Sequence, residues 1–80
     1  MNAKVYVTLK KGVLDPQGKA VQQALHRMDY AEVEDVRIGK LIELSVKAAD
    51  KAQAEKRLTE MCERLLANTV IESYSFELSD

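Results

Sequence analysis

The amino-acid sequence predicts an α+β domain whose elements follow the order β-α-β-β-α-β. Apolar and polar residues alternate near both ends of the 80-residue chain and in a central stretch, as they do in half-buried strands. In the two stretches between them, apolar residues recur at helical spacing instead. We therefore expect one domain of residues 1–80, with a four-stranded antiparallel sheet and both helices on one face.

The first strand is predicted over residues 3–10, in which every second residue is apolar. The first helix is predicted to begin at Asp15-Pro16 and to run to about residue 29. An aspartate at this position accepts hydrogen bonds from free backbone N–H groups, and a proline in the first turn has no N–H that needs a partner. The expected apolar stripe of this helix comprises Val21, Ala24, Leu25 and Met28.

The central stretch, residues 33–46, is predicted to form two strands around a tight turn at Gly39-Lys40. Gly39 can adopt the positive φ that such a turn requires. A single long, bent strand is the alternative interpretation of the same pattern. The last strand is predicted over residues 70–78, which alternate again.

The second helix is predicted to begin after Asp50, which can cap it, and to run to about residue 67. Asn68 suits the end of this helix because asparagine tolerates the left-handed conformation. The expected apolar stripe comprises Ala54, Leu58, Met61, Cys62 and Leu65.

This order of elements is the split βαβ, or ferredoxin-like, pattern, which leaves one face of the sheet without helices. The residues expected on that open face are Tyr6, Thr8, Arg37, Leu41, Glu43, Ile71, Ser73 and Ser75. A solvated face is one interpretation, since antiparallel sheets permit it. A small core without a metal or disulfide favours the other, a homo-oligomer whose interface includes Tyr6, Leu41 and Ile71.

Composition argues against several classes of function. The net charge of −1, without a basic stripe, argues against a nucleic-acid binder. The N-terminus enters a strand pattern directly, and no apolar run is long enough for a signal core or a membrane span, so we expect a cytoplasmic protein. The single cysteine, Cys62, excludes an internal disulfide, and with the single histidine, His26, it cannot build a zinc site.

No catalytic, cofactor-binding or metal-binding residue is predicted. His26 has no nucleophile near it in sequence, and Cys62 falls in an apolar stripe, where a thiol acts as a small hydrophobic group. The three glycines are too scattered for a phosphate-binding loop. A weaker anion site at the backbone of Gln17 and Gly18 would compete with Asp15 for the same donors.

Three stretches carry a more specific signal than the order of elements. They are residues 11–21 (KGVLDPQGKAV), 36–44 (VRIGKLIEL) and 62–74 (CERLLANTVIESY). Together they resemble the PurS family, the small subunit of phosphoribosylformylglycinamidine (FGAM) synthase in purine biosynthesis. The resemblance extends over nearly the whole chain, in order and without gaps.

The resemblance implies an ATP-dependent, glutamine-using C–N ligase complex. The large synthetase subunit PurL would use ATP and magnesium, and the glutaminase subunit PurQ would release ammonia from glutamine. The small subunit, a dimer or tetramer, would bridge them so that ammonia reaches formylglycinamide ribonucleotide. It would contribute no catalytic residue and bind no cofactor itself.

The matching positions also imply residue roles. The residues expected to set the turns and the helix start are Gly12, Asp15, Pro16, Gly18 and Gly39. The residues expected to contact a partner enzyme are Leu14, Arg37, Lys40 and Asn68. The chain departs from the family at Asp29, where glycine is usual, and at Thr69, where proline is usual.

Two other classes share the βαββαβ order. One is the ACT-like regulatory module, which binds amino acids between subunits. The other is the acylphosphatase-like hydrolase, which needs an arginine in the loop after the first strand, where this chain has Lys10 and Lys11. Fold alone does not decide among these functions, so the preference for a bridging subunit depends on the three stretches.

Overall fold

The computed structural model describes all residues from 1 to 80. The strands are β1 (Asn2–Leu9), β2 (Lys40–Ser45) and β3 (Glu72–Ser79), and the helices are α1 (Pro16–Arg27) and α2 (Lys51–Met61). A π-helical turn, Cys62–Leu66, continues α2. The α+β class is confirmed, but the sheet has three strands and not four. Neither helix has the length and hydropathy of a membrane span.

β1 is the central strand and pairs antiparallel with both neighbours, in the order β2-β1-β3. Val5 lies opposite Ile42 on one side and Phe76 on the other. The alternation of β1 places Ala3, Val5 and Val7 on the side of the sheet that α2 covers. Leu58 of α2 packs there and is 0% exposed. We call this the core side of the sheet and the opposite side the open face.

The predicted hairpin around Gly39 is wrong, because residues 33–39 form no strand. The backbone N–H of Ile38 donates to the side chain of Asp15 at 2.8 Å and not to a neighbouring strand. Gly39 does not have a positive φ. The absence of a side chain at Gly39 allows its backbone to approach β1 closely, since a Cβ atom there would lie 2.5 Å from the carbonyl oxygen of Val7.

The prediction that both helices cover the sheet is also wrong, because no side chain of α1 belongs to the hydrophobic core. α1 lies instead along residues 33–36 and contacts them with a polar side. Gln22 donates to the carbonyl of Glu34 at 2.7 Å, and His26 Nε2 lies 2.6 Å from the carbonyl oxygen of Val33. Residues 33–36 have no strand partner, so their carbonyls are available to the helix side chains.

Asp15 ties the start of α1 to the residues before β2. One carboxylate oxygen accepts from the N–H of Gly18 at 2.9 Å, and the other accepts from the N–H of Ile38. Asp15 as a whole residue is 6% exposed. The hydrogen bonds from Ile38 and then Gly18, together with the nearby Arg37 charge, hold the pKa of Asp15 below its usual value against the opposing effect of burial.

The π turn changes which residues of the second helix face the core. The N–H of Ala67 bonds to the carbonyl of Cys62, five residues back, at 3.1 Å. This wider turn rotates the following residues relative to an α-helix. As a result Leu65, predicted to be in the apolar stripe, is 83% exposed, while Leu66 is half-buried and Ala67 is buried.

The burial pattern predicts unequal effects of truncating two leucines of the same helical run. Leu58→Ala should lower the free energy of unfolding by about 2–5 kcal/mol, because it leaves a cavity in the core. Leu65→Ala, the control, should change it by no more than about 0.5 kcal/mol. Urea unfolding at one fixed protein concentration measures both. Equal losses would contradict the rotation of Leu65 away from the core.

The pKa of Asp15 predicts how stability responds to acid. Its folded value lies below the unfolded value of about 3.9, so the ionised carboxylate stabilises the fold above that pH, and this contribution disappears as the pH falls through the folded pKa. In Asp15→Asn, one side of the amide would present an NH2 group to a backbone donor. We expect this variant to be less stable than the parent chain at neutral pH, with the difference shrinking in acid.

Equilibrium unfolding from neutral pH to about pH 2 tests this expectation. Asp50→Asn is the matched control, because Asp50 is an exposed cap that accepts one backbone bond, from Gln53 at 2.8 Å. Asparagine caps helices about as well as aspartate, so this control should lose little stability. A pH-independent difference between the parent chain and Asp15→Asn would contradict the assigned role of the Asp15 charge.

Candidate functional site

The residues of the first two motif stretches come together at the end of β1. Asp15 bonds to Ile38, and Gly39 lies against Val7 and Thr8. A Cβ atom on Gly18 would collide with the carbonyl oxygen of Val36, so this glycine is required for the contact. We call this region, residues 9–18 and 36–40, the junction.

Arg37 has a role inside the chain that its sequence position does not indicate. Its guanidinium donates to the carbonyl of Lys10 at 3.1 Å and lies 3.5 Å from the carbonyl oxygen of Leu9, at the end of β1. The residue as a whole is exposed. Both contacts use one nitrogen of the guanidinium, and a contact between Arg37 and a partner stays a prediction.

Glu72 connects Lys40 of the junction to Asn68 in the loop before β3. The ammonium of Lys40 lies 3.9 Å from one oxygen of the Glu72 carboxylate, which is a weak surface ion pair. The other oxygen accepts from the N–H of Asn68 at 2.7 Å. The N–H of Lys10 also bonds to the carbonyl of Ile71, so the loop before β3 lies beside the loop after β1.

Asn68 does not adopt the left-handed conformation that was predicted for a helix end. It organises the turn into β3 instead. Its side-chain oxygen accepts from the N–H of Val70 at 3.2 Å, and its carbonyl accepts from Ile71 and Glu72. Because the turn has its own hydrogen bonds, Thr69 can stand where the family usually has proline.

Asp29, the other departure, does adopt a left-handed conformation, with a φ of 73°. The end of α1 therefore keeps the backbone geometry that a glycine would allow. Aspartate visits this region more readily than most residues, although less readily than glycine.

Two shallow clefts flank Asp15 at the junction. One has a volume of about 280 Å³ and is lined in part by Thr8, Gln17, Lys40 and Glu72. The other, of about 160 Å³, is lined in part by Leu14, Lys19, Asp35 and Arg37. The donor that an anion would need at Gly18 is already bonded to Asp15. The clefts are therefore lined by charges of both signs and by apolar side chains, among which Leu14 is 76% exposed.

The residues considered for chemistry lie apart from these clefts. Cys62 is a free thiol buried in the core, and burial, followed by the charge of Glu63, raises its pKa and keeps it protonated. His26 is exposed on α1. No group of three or more His, Cys, Asp or Glu side chains could hold a metal ion.

The open face of the sheet is more polar than its three predicted interface residues indicate. The register with β1 places Tyr6 opposite Leu41 and Ser75, and Lys4 opposite Glu43 and Glu77. Tyr6, Leu41 and Ile71 are exposed, but Ile71 precedes β3 and Arg37 lies outside the sheet. The interface role of these apolar residues stays a prediction.

Sequence reasoning did not predict that Val21, Met28, Leu65 and Val70 are exposed. Leu65 shares a depression with Arg57 and Arg64. Helical periodicity predicted that Leu65 lies in the core. No local sequence pattern indicates the π turn that directs Leu65 away from the core.

Comparison with known proteins places this arrangement in a family. Residues 2–80 match the sequence model of PurS, described as phosphoribosylformylglycinamidine (FGAM) synthase. The FGAM synthase subunit PurS of Bacillus subtilis is 58% identical over 77 residues, which cover 96% of this chain and 90% of that protein. The PurS subunit of Synechocystis is 53% identical, over 98% of this chain and 78% of that protein.

Solved structures agree with the sequence comparison. A crystal structure of Bacillus subtilis PurS superposes with a TM-score of 0.88 at 57% identity, covering 99% of this chain and 98% of that one. A chain in a structure of PurLQS from Thermotoga maritima superposes with a TM-score of 0.84 at 32% identity, covering 96% of each chain. The chain therefore belongs to the PurS family of FGAM synthase subunits.

Proposed function

We propose that this chain is the small, non-catalytic subunit of FGAM synthase and that it holds the PurL synthetase and the PurQ glutaminase together in the cytoplasm. PurQ hydrolyses glutamine to glutamate and ammonia, and PurL uses ATP and magnesium to join that ammonia to formylglycinamide ribonucleotide. The observation that carries the proposal is the family match over residues 2–80, together with the similar chain found in PurLQS.

The proposed contact surface for the partner enzymes is the junction with the adjoining turn at Asn68. Leu14, Arg37 and Lys40 are exposed there, and the hydrogen bonds through Asp15 and Glu72 fix the backbone that presents them. A rigid backbone lowers the entropic cost of binding, because less of the surface must be ordered in the complex. Exposed charges of both signs favour specificity for a protein surface of complementary charge.

We also propose that the chain works as a homo-oligomer, a dimer or a tetramer. The radius of gyration of the Cα atoms is 16.1 Å, and the molecule measures 51 × 26 × 14 Å. A compact chain of this length is expected to have a radius of gyration of about 12 Å. Only ten residues are buried, so a second copy would add burial that the single chain lacks.

Reconstitution tests the bridging function. We expect FGAM formation by PurL and PurQ from glutamine to require this chain, because ammonia must pass between the two active sites. The same reaction supplied with ammonium salt should depend on the chain much less. Rates with both nitrogen donors, measured over a titration of the chain, check this. Rates that ignore the chain with both donors would contradict the proposal.

Substitution tests the proposed contact surface. Lys40→Ala and Arg37→Ala should each weaken complex formation by about tenfold or more, the effect of losing an interface residue worth about 1.4 kcal/mol or more. Arg37→Ala should also lower the melting temperature, because Arg37 bonds to carbonyls at the end of β1.

Lys47→Ala and Arg57→Ala are the matched controls, since both residues are exposed and lie outside the junction. Sedimentation velocity of the mixed subunits measures assembly, and the glutamine-dependent rate measures coupling. If the junction variants assemble and couple as the controls do, the contact surface lies elsewhere on the chain.

A further inference from the structure

The open face of the sheet is uncovered on all three strands. On the central strand β1, the side chains that point to this face belong to Lys4, Tyr6 and Thr8, and all three residues are exposed. The residues paired with Tyr6, which are Leu41 on β2 and Ser75 on β3, are exposed as well. Antiparallel sheets permit one wet face, so exposure alone indicates no function. The kinds of side chain on this face do indicate one.

The open face consists mainly of hydroxyl-bearing side chains around one tyrosine. Its hydroxyl-bearing residues are Tyr6, Thr8, Ser45, Ser73, Ser75 and Ser79. Tyr6 is 38% exposed, and Leu41 beside it is 50% exposed. Tyrosine supplies a large contact area at a low cost in conformational entropy, and serine supplies adaptable hydrogen bonds, so both are enriched in antibody combining sites. This composition is typical of a polar surface that binds another protein.

The open face also carries more negative than positive charge. In the register of the sheet, Lys4 lies between Glu43 on β2 and Glu77 on β3. Neither carboxylate takes part in the ion pairs within the chain. The Tyr6 hydroxyl donates to one oxygen of Glu77 at 3.2 Å. Both carboxylates can therefore pair with basic side chains of another protein, which favours a partner of complementary charge.

A depression lies at the end of the open face where β1 begins. Its volume is about 390 Å³, and its lining includes Asn2, Lys4, Glu43, Ser45 and Ser79. A protruding arginine of a partner could bind there, because a guanidinium forms paired hydrogen bonds with a carboxylate such as that of Glu43. The depression thus gives the face a recess as well as a charge for a basic side chain.

A second copy of the chain fits the open face less well than a different protein does. Two such faces packed together would join surfaces that both carry an excess of carboxylates, and like charges oppose association. Interfaces between permanent partners are also more apolar than this face, whose largest apolar side chains are Tyr6 and Leu41. The sequence pattern predicted a contact between copies through these two residues. The register instead surrounds them with hydroxyl and carboxylate groups, which suits an enzyme partner with basic side chains.

We propose that the open face is a second docking surface, which binds a basic surface of one partner enzyme of FGAM synthase, while the junction contacts the other enzyme. This inference rests on the proposed bridging function and gives it a second surface. A bridge between two enzymes needs two contact surfaces that do not overlap. The open face meets this need, because its side chains belong to the three strands and none of them to residues 9–18 or 36–40.

Charge reversal on the open face tests the proposed docking surface. We expect Glu43→Lys/Glu77→Lys to weaken assembly with PurL and PurQ by about tenfold or more, because the new lysines repel a basic surface. Both glutamates are exposed, so the isolated variant should keep the circular dichroism and the oligomeric state of the parent chain. Glu43→Gln/Glu77→Gln should weaken assembly less, and should make the remaining binding less sensitive to salt.

Glu32→Lys/Glu55→Lys is the matched control. It makes the same change in net charge at exposed residues that lie outside both the open face and the junction. Sedimentation velocity of the mixed subunits measures assembly, and the control should assemble as the parent chain does. The inference is wrong if the open-face variants assemble like the control. It is also wrong if charge reversal changes the oligomeric state of the isolated chain, since the face would then join two copies.

Crosslinking identifies the protein that covers the open face. Ser45 is exposed at the end of the face away from the junction, so a probe there leaves the centre of the face intact. With p-benzoylphenylalanine in place of Ser45, irradiation of the assembled complex should give crosslinks to PurL or to PurQ but not to both, in a peptide rich in lysine and arginine. Crosslinks to a second copy of the chain, or to neither enzyme, would overturn the inference.

The reconstitution assay separates this inference from the proposed function. If the parent chain supports glutamine-dependent FGAM formation and the charge-reversed variant does so equally well, the bridging function stands and the docking surface is wrong. If the parent chain changes the rate with neither nitrogen donor, the bridging function is wrong, and the inference that rests on it is wrong as well.

Discussion

The fold depends on the buried carboxylate of Asp15. Both of its oxygens accept backbone hydrogen bonds, one from the first turn of α1 and one from Ile38, 23 residues later. A buried carboxylate is stable only when such donors are present, so its neighbours must approach closely. Pro16 leaves no donor unpaired at the helix start, and Gly18 leaves room for the carbonyl of Val36. The residue types of the short motif around Asp15 are therefore those that this one hydrogen-bonded contact requires.

This contact also limits the sheet. Because the N–H of Ile38 is directed to Asp15, residues 33–39 cannot form a complete ladder with a neighbouring strand, and β2 begins only at Lys40. α1 then lies along these residues, and only α2 covers the core side of the sheet. The core contains few residues, because α2 is the only helix that packs on the sheet.

Local pattern predicted most elements, and the failures share a cause. β1, α1 and β3, and α2 counted together with its π turn, each lie within a few residues of the range predicted from periodicity, and both aspartate caps are present. The hairpin at Gly39 failed because the alternation of residues 33–39 contains no sign that a side chain far away in sequence takes a backbone donor. Leu65 was misplaced because a π turn adds one residue to a helical turn without a sequence signal. The contact of Arg37 with a carbonyl 27 residues away is equally non-local. The contact between residues 9–18 and residues 36–40 was not predicted, since periodicity does not indicate which loops meet.

A subunit that couples two enzymes needs separate surfaces more than it needs a large core. Holding two active sites in one assembly raises the effective concentration of ammonia at the second site without any catalytic group on the bridge. The small subunit then has to keep the backbone that carries its contact residues in a fixed position. The hydrogen bonds of Asp15 do this, because they fix the contact between α1 and the residues before β2.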